Sequence, residues 1–233
     1  MRILVYDVGV KTLSYCLLQF IPVENADPDL TILEWETINI HQENGVSEKA
    51  KPTMHQDSEY LMNCIHRRID TLWGHNPDFV MVEEQPGSTL NRFGSTRMKS
   101  LSHVIHAYFY THQLHHGGEI RVPVGFVSPS LKLVGLETGE SQEDAEARRG
   151  GDRRAMGQKY RKNKNYSVQR TRELVDRMPG ETGHQARLTL AGATPKQDDL
   201  ADCFLLAYCF GLKQSGLRKT TPRKRKRKEE QES

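Results

Sequence analysis

The sequence predicts an α/β domain with a mixed, five-stranded sheet. Three strand-like segments, at about 2–7, 13–20 and 30–40, follow one another closely, which is typical of an antiparallel meander. From residue 56 onward helical and strand-like patterns alternate, which favours parallel pairing of the remaining strands. The near-continuous apolar run in "DFVMVEEQP", residues 78–86, is typical of a strand that is buried on both faces.

The later elements each have a signal of their own. Apolar residues recur at helical spacing over 56–74 and 95–114, which predicts two helices. The segment "IRVPVGFVSPS" at 120–130 supplies the fifth strand. A short helix is expected at 166–177, and an apolar helix at 196–212 closes the domain.

The start of the last helix carries a capping signal. Thr194 can act as the cap, Pro195 fits the first helical position, and Gln197 completes a Thr-x-x-Gln capping box. Asp198 and Asp199 then fall in the first turn, where the helix dipole favours negative charge. Helix capping alone is therefore a sufficient explanation for these two aspartates.

The net charge of +3 conceals two strongly basic segments. Residues 144–164 hold eight Lys or Arg and three acidic residues, and residues 218–233 hold eight Lys or Arg and three Glu. Neither segment has an apolar period, so we expect a flexible basic insertion at about 137–164 within a domain spanning 1–212, followed by a disordered tail at 213–233. Two basic segments on a slightly acidic body favour a polyanionic partner, most simply nucleic acid.

The cellular location is predicted only broadly. No run of 18 or more apolar residues is present, and "MRILVYD" enters a strand pattern directly, so we expect neither a membrane span nor a signal peptide. Four scattered cysteines without metal-binding spacing indicate reduced core residues of an intracellular protein. The tail "RKTTPRKRKRK" is compatible with a nuclear-localisation signal.

Acidic residues stand at the ends of two buried strands and at the start of the last helix. Asp7 ends the first strand, and Glu83 and Glu84 end the fourth. Asp202 lies one turn after Asp199, where the helix dipole no longer explains a carboxylate and where the two charges repel unless a cation bridges them. Because ligands bind at the carboxyl ends of parallel strands, these acids are expected to converge on one crevice. Four converging carboxylates predict a pair of Mg²⁺ ions, for which Mn²⁺ can substitute, acting on a phosphodiester.

Several segments resemble, in order, the motifs of the RuvC-like Holliday-junction resolvases. They are "YDVGVKTLSYCLL", "VMVEEQPG", "VSPSLKLVG", "KNKNYSVQRTREL" and "KQDDLADCFLLAYCF", and "NRFGSTRMKSLSHVIHAYFY" is similar to the helix after the second acid in viral members. The resemblance covers residues 1–212 apart from an insertion at 137–160, and it is closest to the branch of mitochondria and large DNA viruses of the poxvirus and iridovirus type. It implies an RNase H-like fold, a homodimer, and divalent-metal-dependent cleavage of branched DNA. The protein would then act in a mitochondrion, a nucleus or a viral factory.

The resemblance also assigns the acidic residues. Asp7 matches the first acid of the family, and Asp199 and Asp202 match the last pair. The second acid is Glu83 if the apolar–Glu–x–Gln pattern applies, which we prefer, and Glu84 if the Glu directly precedes the Gln. Because side chains alternate along a strand, only one of the two can face the metals. Asp198 is a spare acid that can serve as an alternate ligand or as a cap.

Basic residues form a second set of candidates. Lys132 and Lys164 match family residues that contact the scissile phosphate, and an ammonium there would stabilise the transition state; Lys162 is an alternative to Lys164. Further candidates for contact with the DNA backbone are Lys11, Arg92 and Arg97.

Three other functions remain as alternatives to a junction-resolving endonuclease. An RNase H-like nuclease could use the same acids on RNA–DNA hybrids or on other branched DNA. A non-catalytic DNA-binding protein of the same fold would not need all four acids. An actin-like ATPase also opens with Asp-x-Gly, but it needs a second such loop and a longer chain, so no nucleotide cofactor is expected.

Overall fold

A twisted sheet forms the centre of the protein in the computed structural model, which describes residues 1–85, 92–116, 122–133, 153–193 and 196–217. The strands are β1 (Arg2–Val8), β2 (Thr12–Ile21), β3 (Asp29–Asn39), β4 (Phe79–Glu83) and β5 (Val124–Val127). The helices are α1 (Ile40–Glu43), α2 (Met54–His66), α3 (Ile69–Gly74), α4 (Arg92–His116), α5 (Arg153–Asp176), α6 (Gly180–Gly192) and α7 (Gln197–Gln214), with a 3₁₀ turn at Pro129–Leu133. None of the helices within these ranges is long and apolar enough to cross a bilayer.

The five strands lie in the order β3-β2-β1-β4-β5. β1 pairs with β2, and β2 with β3, in antiparallel fashion, whereas β4 pairs in parallel with both β1 and β5. The predicted mixed sheet, an antiparallel meander followed by parallel strands, is therefore confirmed.

A tight turn connects the first strand to the second. The backbone N–H of Gly9 donates to the carbonyl of Thr12 at 2.8 Å. A Cβ atom on Gly9 would lie 2.7 Å from Thr12 Oγ1, so a larger residue would open the turn. The turn reverses the chain after Val8, the residue that follows Asp7, and keeps this acid at the carboxyl end of β1.

Helices cover both faces of the sheet, because β1 and β2 alternate apolar side chains between two cores. Ile3, Val5 and Phe20 face a core formed with α5, α6 and α7. Leu4 and Tyr6 face a second core formed with α2, α3 and α4. The result is a three-layer α/β/α arrangement in which β1 is buried from both sides.

α7 is the most deeply buried helix. The indole N–H of Trp35 on β3 donates to the Leu200 carbonyl at 2.9 Å and fixes the first turn of the helix on the sheet. Near the other end, a Cβ atom on Gly211 would lie 2.6 Å from the ring of Phe20, so glycine permits the close approach of helix and strand. The helix is thereby fixed at both ends with its acidic first turn at the carboxyl edge of β1.

Two of the predicted helices have different bounds in the structure. The helix predicted over 56–74 is divided into α2 and α3 at Arg68, whose guanidinium binds Glu36 and Glu43. α7 begins at Gln197 with Lys196 as its N-cap, and the Lys196 side chain makes no capping bond. The predicted cap residues, Thr194 and Pro195, lie outside the described residues.

Two helices in the C-terminal half were misjudged. α5 begins at Arg153 instead of near residue 166, so the second half of the basic segment 144–164 is helical and not irregular. Lysine and arginine are good helix formers, and the sequence of the first turns has no apolar period that would have revealed the helix. α6 was not predicted, since its glycines and few apolar residues conceal a period carried by Gly183, Ala186 and Leu190.

Gly211→Ala is expected to destabilise the protein by about 1–2 kcal/mol. The added methyl group overlaps the Phe20 ring, and this overpacking exceeds the gain of about 1 kcal/mol in helix propensity. Gly192→Ala, at the end of α6 with no atom within 4 Å of the new Cβ, is the matched control and should be neutral or stabilising. Urea unfolding of both variants measures the difference, and a Gly211→Ala protein as stable as wild type would contradict the packing described here.

Candidate metal centre

Three carboxylates converge at the carboxyl edge of the two central parallel strands. In the parallel pairing of β1 and β4, Tyr6 lies beside Val82, so the residues that follow, Asp7 and Glu83, leave the sheet side by side. α7 crosses the same edge and contributes Asp202. Ligand oxygens of the three carboxylates lie within 4.8 Å of one another. We refer to Asp7, Glu83 and Asp202 as the acidic triad.

The strand geometry distinguishes the two candidate glutamates. Glu83 is 6% exposed and belongs to the acidic triad. Glu84 follows it, points to the opposite side and is exposed. The structure therefore brings Glu83, the preferred candidate, and not Glu84, to the other acids.

Gln85 orients the carboxylate of Asp7, a contact that sequence reasoning did not assign. Its side-chain amide donates to Asp7 Oδ1 at 3.2 Å and to the Val8 carbonyl at 3.3 Å. The apolar–Glu–x–Gln pattern contained the signal for this contact. Gln85 stands two residues after Glu83, and side chains two residues apart in an extended chain lie on the same face. The amide holds one oxygen of Asp7 in a fixed direction.

Lys132 supplies the cation nearest to the acidic triad. It lies in the 3₁₀ turn after β5, and its side chain is 11% exposed. Its ammonium donates to Glu83 Oε1 at 3.4 Å and also to Asp202 Oδ2. The structure thus places Lys132 against two of the predicted metal ligands.

Burial and mutual repulsion weaken the acidity of Asp7 and Glu83. Burial, and then the neighbouring charge of Glu83, raise the pKa of Asp7 well above its ordinary value. Burial likewise raises the pKa of Glu83, against the opposing effect of Lys132. Burial alone would lower the pKa of Lys132, but the facing carboxylates of Glu83 and Asp202 raise it, so the ammonium stays charged. Added positive charge would favour the ionised forms of Asp7 and Glu83.

A second cluster of charges lies at the first turn of α7. Lys164 on α5 binds Asp198 and lies 3.8 Å from Asp199 Oδ1. Lys196 approaches Asp199 Oδ2 at 3.2 Å. Burial and the charge of Asp198 raise the pKa of Asp199. Asp199, predicted as a metal ligand together with Asp202, is therefore held by lysines one turn away from the acidic triad.

The remaining basic candidates have different environments. Lys11 is exposed in the turn between β1 and β2. The Arg97 guanidinium binds Asp57 and donates to the carbonyls of Pro52 and Thr53 at 2.6 and 3.2 Å, so it is engaged within the protein. The side chains of Arg92 and Lys162, on α4 and α5, lie outside the described part of the chain.

The donor set fits a divalent cation that prefers oxygen ligands. Glu83 Oε2 and Asp202 Oδ1 are buried and have no hydrogen-bond partner among the described residues. Buried carboxylate oxygens without a partner are costly unless a cation or a donor reaches them. Three carboxylates facing one ammonium also leave negative charge to be neutralised, as Mg²⁺, Mn²⁺ or Ca²⁺ would do.

Comparison with known proteins places this geometry in a family context. The sequence profile of the family described as "Mitochondrial resolvase Ydc2 / RNA splicing MRS1" matches residues 3–177. No curated protein matches the chain by sequence. Among solved structures, the yeast mitochondrial Holliday junction resolvase Ydc2 is similar with a TM-score of 0.54 and 21% identity, over 93% of this chain and 81% of that chain. RuvC of Thermus thermophilus is similar with a TM-score of 0.50 and 15% identity, over 93% of this chain and 97% of that chain. These likenesses confirm the expected RNase H-like fold.

Glu83→Gln and Glu84→Gln form a matched pair that tests the metal centre. Glu83→Gln removes one charge from the acidic triad and should weaken Mn²⁺ binding by at least about tenfold, whereas Glu84→Gln should leave it unchanged. Calorimetric titration of the DNA-free proteins with Mn²⁺ measures both. Equal weakening in the two variants would show that the triad does not hold the ion.

Asp7→Asn should stabilise the metal-free protein at pH 8. A carboxyl whose pKa is raised by folding contributes stability below its unfolded pKa of about 4, and that contribution is lost as the pH rises through the folded value. Removing the charge abolishes this loss, so the midpoint of thermal unfolding at pH 8 should rise and the gain should shrink as the pH falls.

Asp198→Asn serves as the control for the same measurement, because its effect on the unfolding midpoint should have the opposite sign. Burial works against the ionisation of Asp198, but the hydrogen bond and charge of Lys164, together with smaller contributions that include the charge of Lys196, outweigh it and lower the pKa of Asp198. Its contribution to stability is present above the unfolded pKa and is lost as the pH falls through the folded value. Asp198→Asn should therefore lower the midpoint at pH 8, and a decrease of equal size in Asp7→Asn would contradict the electrostatics of the triad.

Proposed function

The chain belongs to the family of the mitochondrial resolvase Ydc2 and the RNA-splicing protein MRS1, and we propose that it is a divalent-metal-dependent endonuclease that resolves four-way DNA junctions. The observation that carries the proposal is the acidic triad of Asp7, Glu83 and Asp202 at the carboxyl edge of the sheet. Its carboxylates are buried or half-buried, convergent and incompletely neutralised, which is the arrangement that a metal-dependent nuclease requires.

The acidic triad, with Asp199 close by, would hold two Mg²⁺ ions, for which Mn²⁺ can substitute. When bound, the ions supply a water activated for attack on the phosphodiester and neutralise charge on the leaving oxygen. Gln85 keeps Asp7 oriented by occupying one carboxylate oxygen. Lys132, whose ammonium contacts Glu83 and Asp202, would stabilise negative charge that develops on the phosphate.

Other parts of the chain would bind the DNA. The basic segments 144–164 and 218–233 provide charge that neutralises the phosphate backbone without reading sequence. Lys164, with Lys162 as the alternative, and the exposed Lys11 are the candidates for contacts with phosphates near the cut. Hydrolysis would leave 5′-phosphate and 3′-hydroxyl ends.

Paired symmetric cuts across a junction require two sites in a fixed relation. A homodimer with twofold symmetry places one triad on each of two opposed arms, so we include dimerisation in the proposal. The family description names a mitochondrial protein, and we propose a mitochondrial location ahead of a nucleus or a viral factory.

RNA binding in splicing is the second candidate, because the family description also names a splicing protein. Such a function needs no cleavage and therefore no converging carboxylates. The buried oxygens of Glu83 and Asp202 favour the nuclease, since a protein that only binds nucleic acid gains nothing from the cost of burying them.

Cleavage of a synthetic four-way junction in Mg²⁺, compared with a linear duplex and an RNA–DNA hybrid, tests the proposal. Wild type should introduce paired symmetric nicks in the junction only. Asp202→Asn should lower the rate at least about 100-fold because it removes a proposed metal ligand. Asp27→Asn, with a side chain that is 77% exposed, should cleave like wild type.

Two results would contradict the proposal. Cutting of the hybrid in preference to the junction would retain the metal centre and replace the substrate. RNA or DNA binding without cleavage in either Mg²⁺ or Mn²⁺ would favour the non-catalytic alternatives.

A further inference from the structure

The ammonium of Lys132 lies against two carboxylates of the acidic triad in the metal-free protein. It donates to Glu83 Oε1 at 3.4 Å and contacts Asp202, and the three side chains are 11%, 8% and 14% exposed respectively. No other described lysine or arginine has an ion pair with the acidic triad. Lys132 is thus the counter-ion of this buried group of carboxylates.

In the carboxylates of Glu83 and Asp202, only one of the two oxygens has a hydrogen-bond partner among the described residues. Lys132 occupies Glu83 Oε1 and Asp202 Oδ2, whereas Glu83 Oε2 and Asp202 Oδ1 have no hydrogen-bond partner among the described residues. The open oxygens belong to the same two carboxylates that the ammonium already holds. A second cation can therefore reach this pair only by coming close to the first.

A divalent ion and the ammonium compete for one group of charges. Two cations a few ångströms apart in a buried site repel strongly, because little water screens them. The ion carries twice the charge and binds several carboxylates at once, so it displaces the weaker competitor. Lysine suits this role, since its ammonium is a point charge on a flexible four-carbon stem.

From this geometry we infer that Lys132 is an exchangeable counter-ion: it holds Glu83 and Asp202 in the metal-free protein, and metal binding displaces its ammonium from them. The inference rests on the metal centre of the proposed function but not on the DNA substrate. Once displaced, the same ammonium is available for the phosphate contact described above. The acidic triad is in this way kept assembled before the ion arrives.

An exposed lysine at the far end of α7 provides an internal comparison. Lys213 lies in the last turn of the helix, about three turns beyond Asp202, and is exposed. Solvent screens an exposed charge at that distance, so its removal should have little effect on an ion held by the triad. Lys213→Met is therefore the matched control for Lys132→Met.

Titration of the DNA-free proteins with Mn²⁺ by calorimetry tests the inference. Lys132→Met should bind Mn²⁺ about tenfold more tightly than wild type, because the ion no longer displaces an ammonium. Lys132→Arg, which keeps the charge, should stay within about threefold of wild type, and Lys213→Met within about twofold. Unchanged or weaker Mn²⁺ binding by Lys132→Met would overturn the inference, as would the absence of Mn²⁺ binding from both proteins.

Thermal unfolding of the same variants supplies a second readout. Without metal, Lys132→Met should unfold at a lower temperature than wild type because three carboxylates then lack a counter-ion, and saturating Mn²⁺ should raise its midpoint by more than it raises that of wild type. An equal rise in both proteins would count against the exchange.

A double variant covers the case in which Lys132→Met does not fold without metal. In Lys132→Met/Asp202→Asn one carboxylate is removed together with the ammonium, which restores the balance of charge. This protein should bind Mn²⁺ more tightly than Asp202→Asn alone, and equal binding would overturn the inference. Because none of these measurements involves DNA, a failure to cleave junctions would refute the proposed function while leaving the exchange to be decided by the Mn²⁺ data.

Discussion

The parallel pairing of β1 with β4 is the constraint on which the rest of the structure depends. It fixes Asp7 and Glu83 side by side at the point where both strands leave the sheet. Both strands are buried by helices from two sides, so the carboxylates that follow them are withdrawn from water as well. Burial of like charges is unfavourable for folding, and the same arrangement would favour the binding of a cation.

The packing of α7 against the sheet positions the third acid of the triad, Asp202, at this edge. Trp35 holds its first turn on the sheet, and Gly211 lets its far end approach Phe20, so the position of the helix is determined by packing along its length. Asp202 is carried to the edge by that packing. The energy that places this third acid beside Glu83 comes from the core, which explains how the protein maintains a group of charges that repel one another.

Some elements of the structure could be predicted from the sequence, and others could not. Strand ends and the acidic start of α7 are local patterns, so the sheet and the approach of Asp7, Glu83 and Asp202 could be predicted. The first turns of α5 carry no apolar stripe, and α6 buries only small residues and one leucine, so neither gave a readable period. The partners of Arg97, Gln85 and Lys164 depend on tertiary contacts between distant segments, which no local pattern encodes.

The central claim is that the acidic triad is a metal centre whose charge is balanced by Lys132 until the ion arrives. Anomalous diffraction from crystals of the protein grown with and without Mn²⁺ tests it most directly. The account predicts a Mn²⁺ peak in contact with Asp7, Glu83 and Asp202, and a Lys132 ammonium that has left the two carboxylates it holds without metal. A Mn²⁺ peak elsewhere, or a Lys132 that still bridges Glu83 and Asp202 at saturating Mn²⁺, would contradict it.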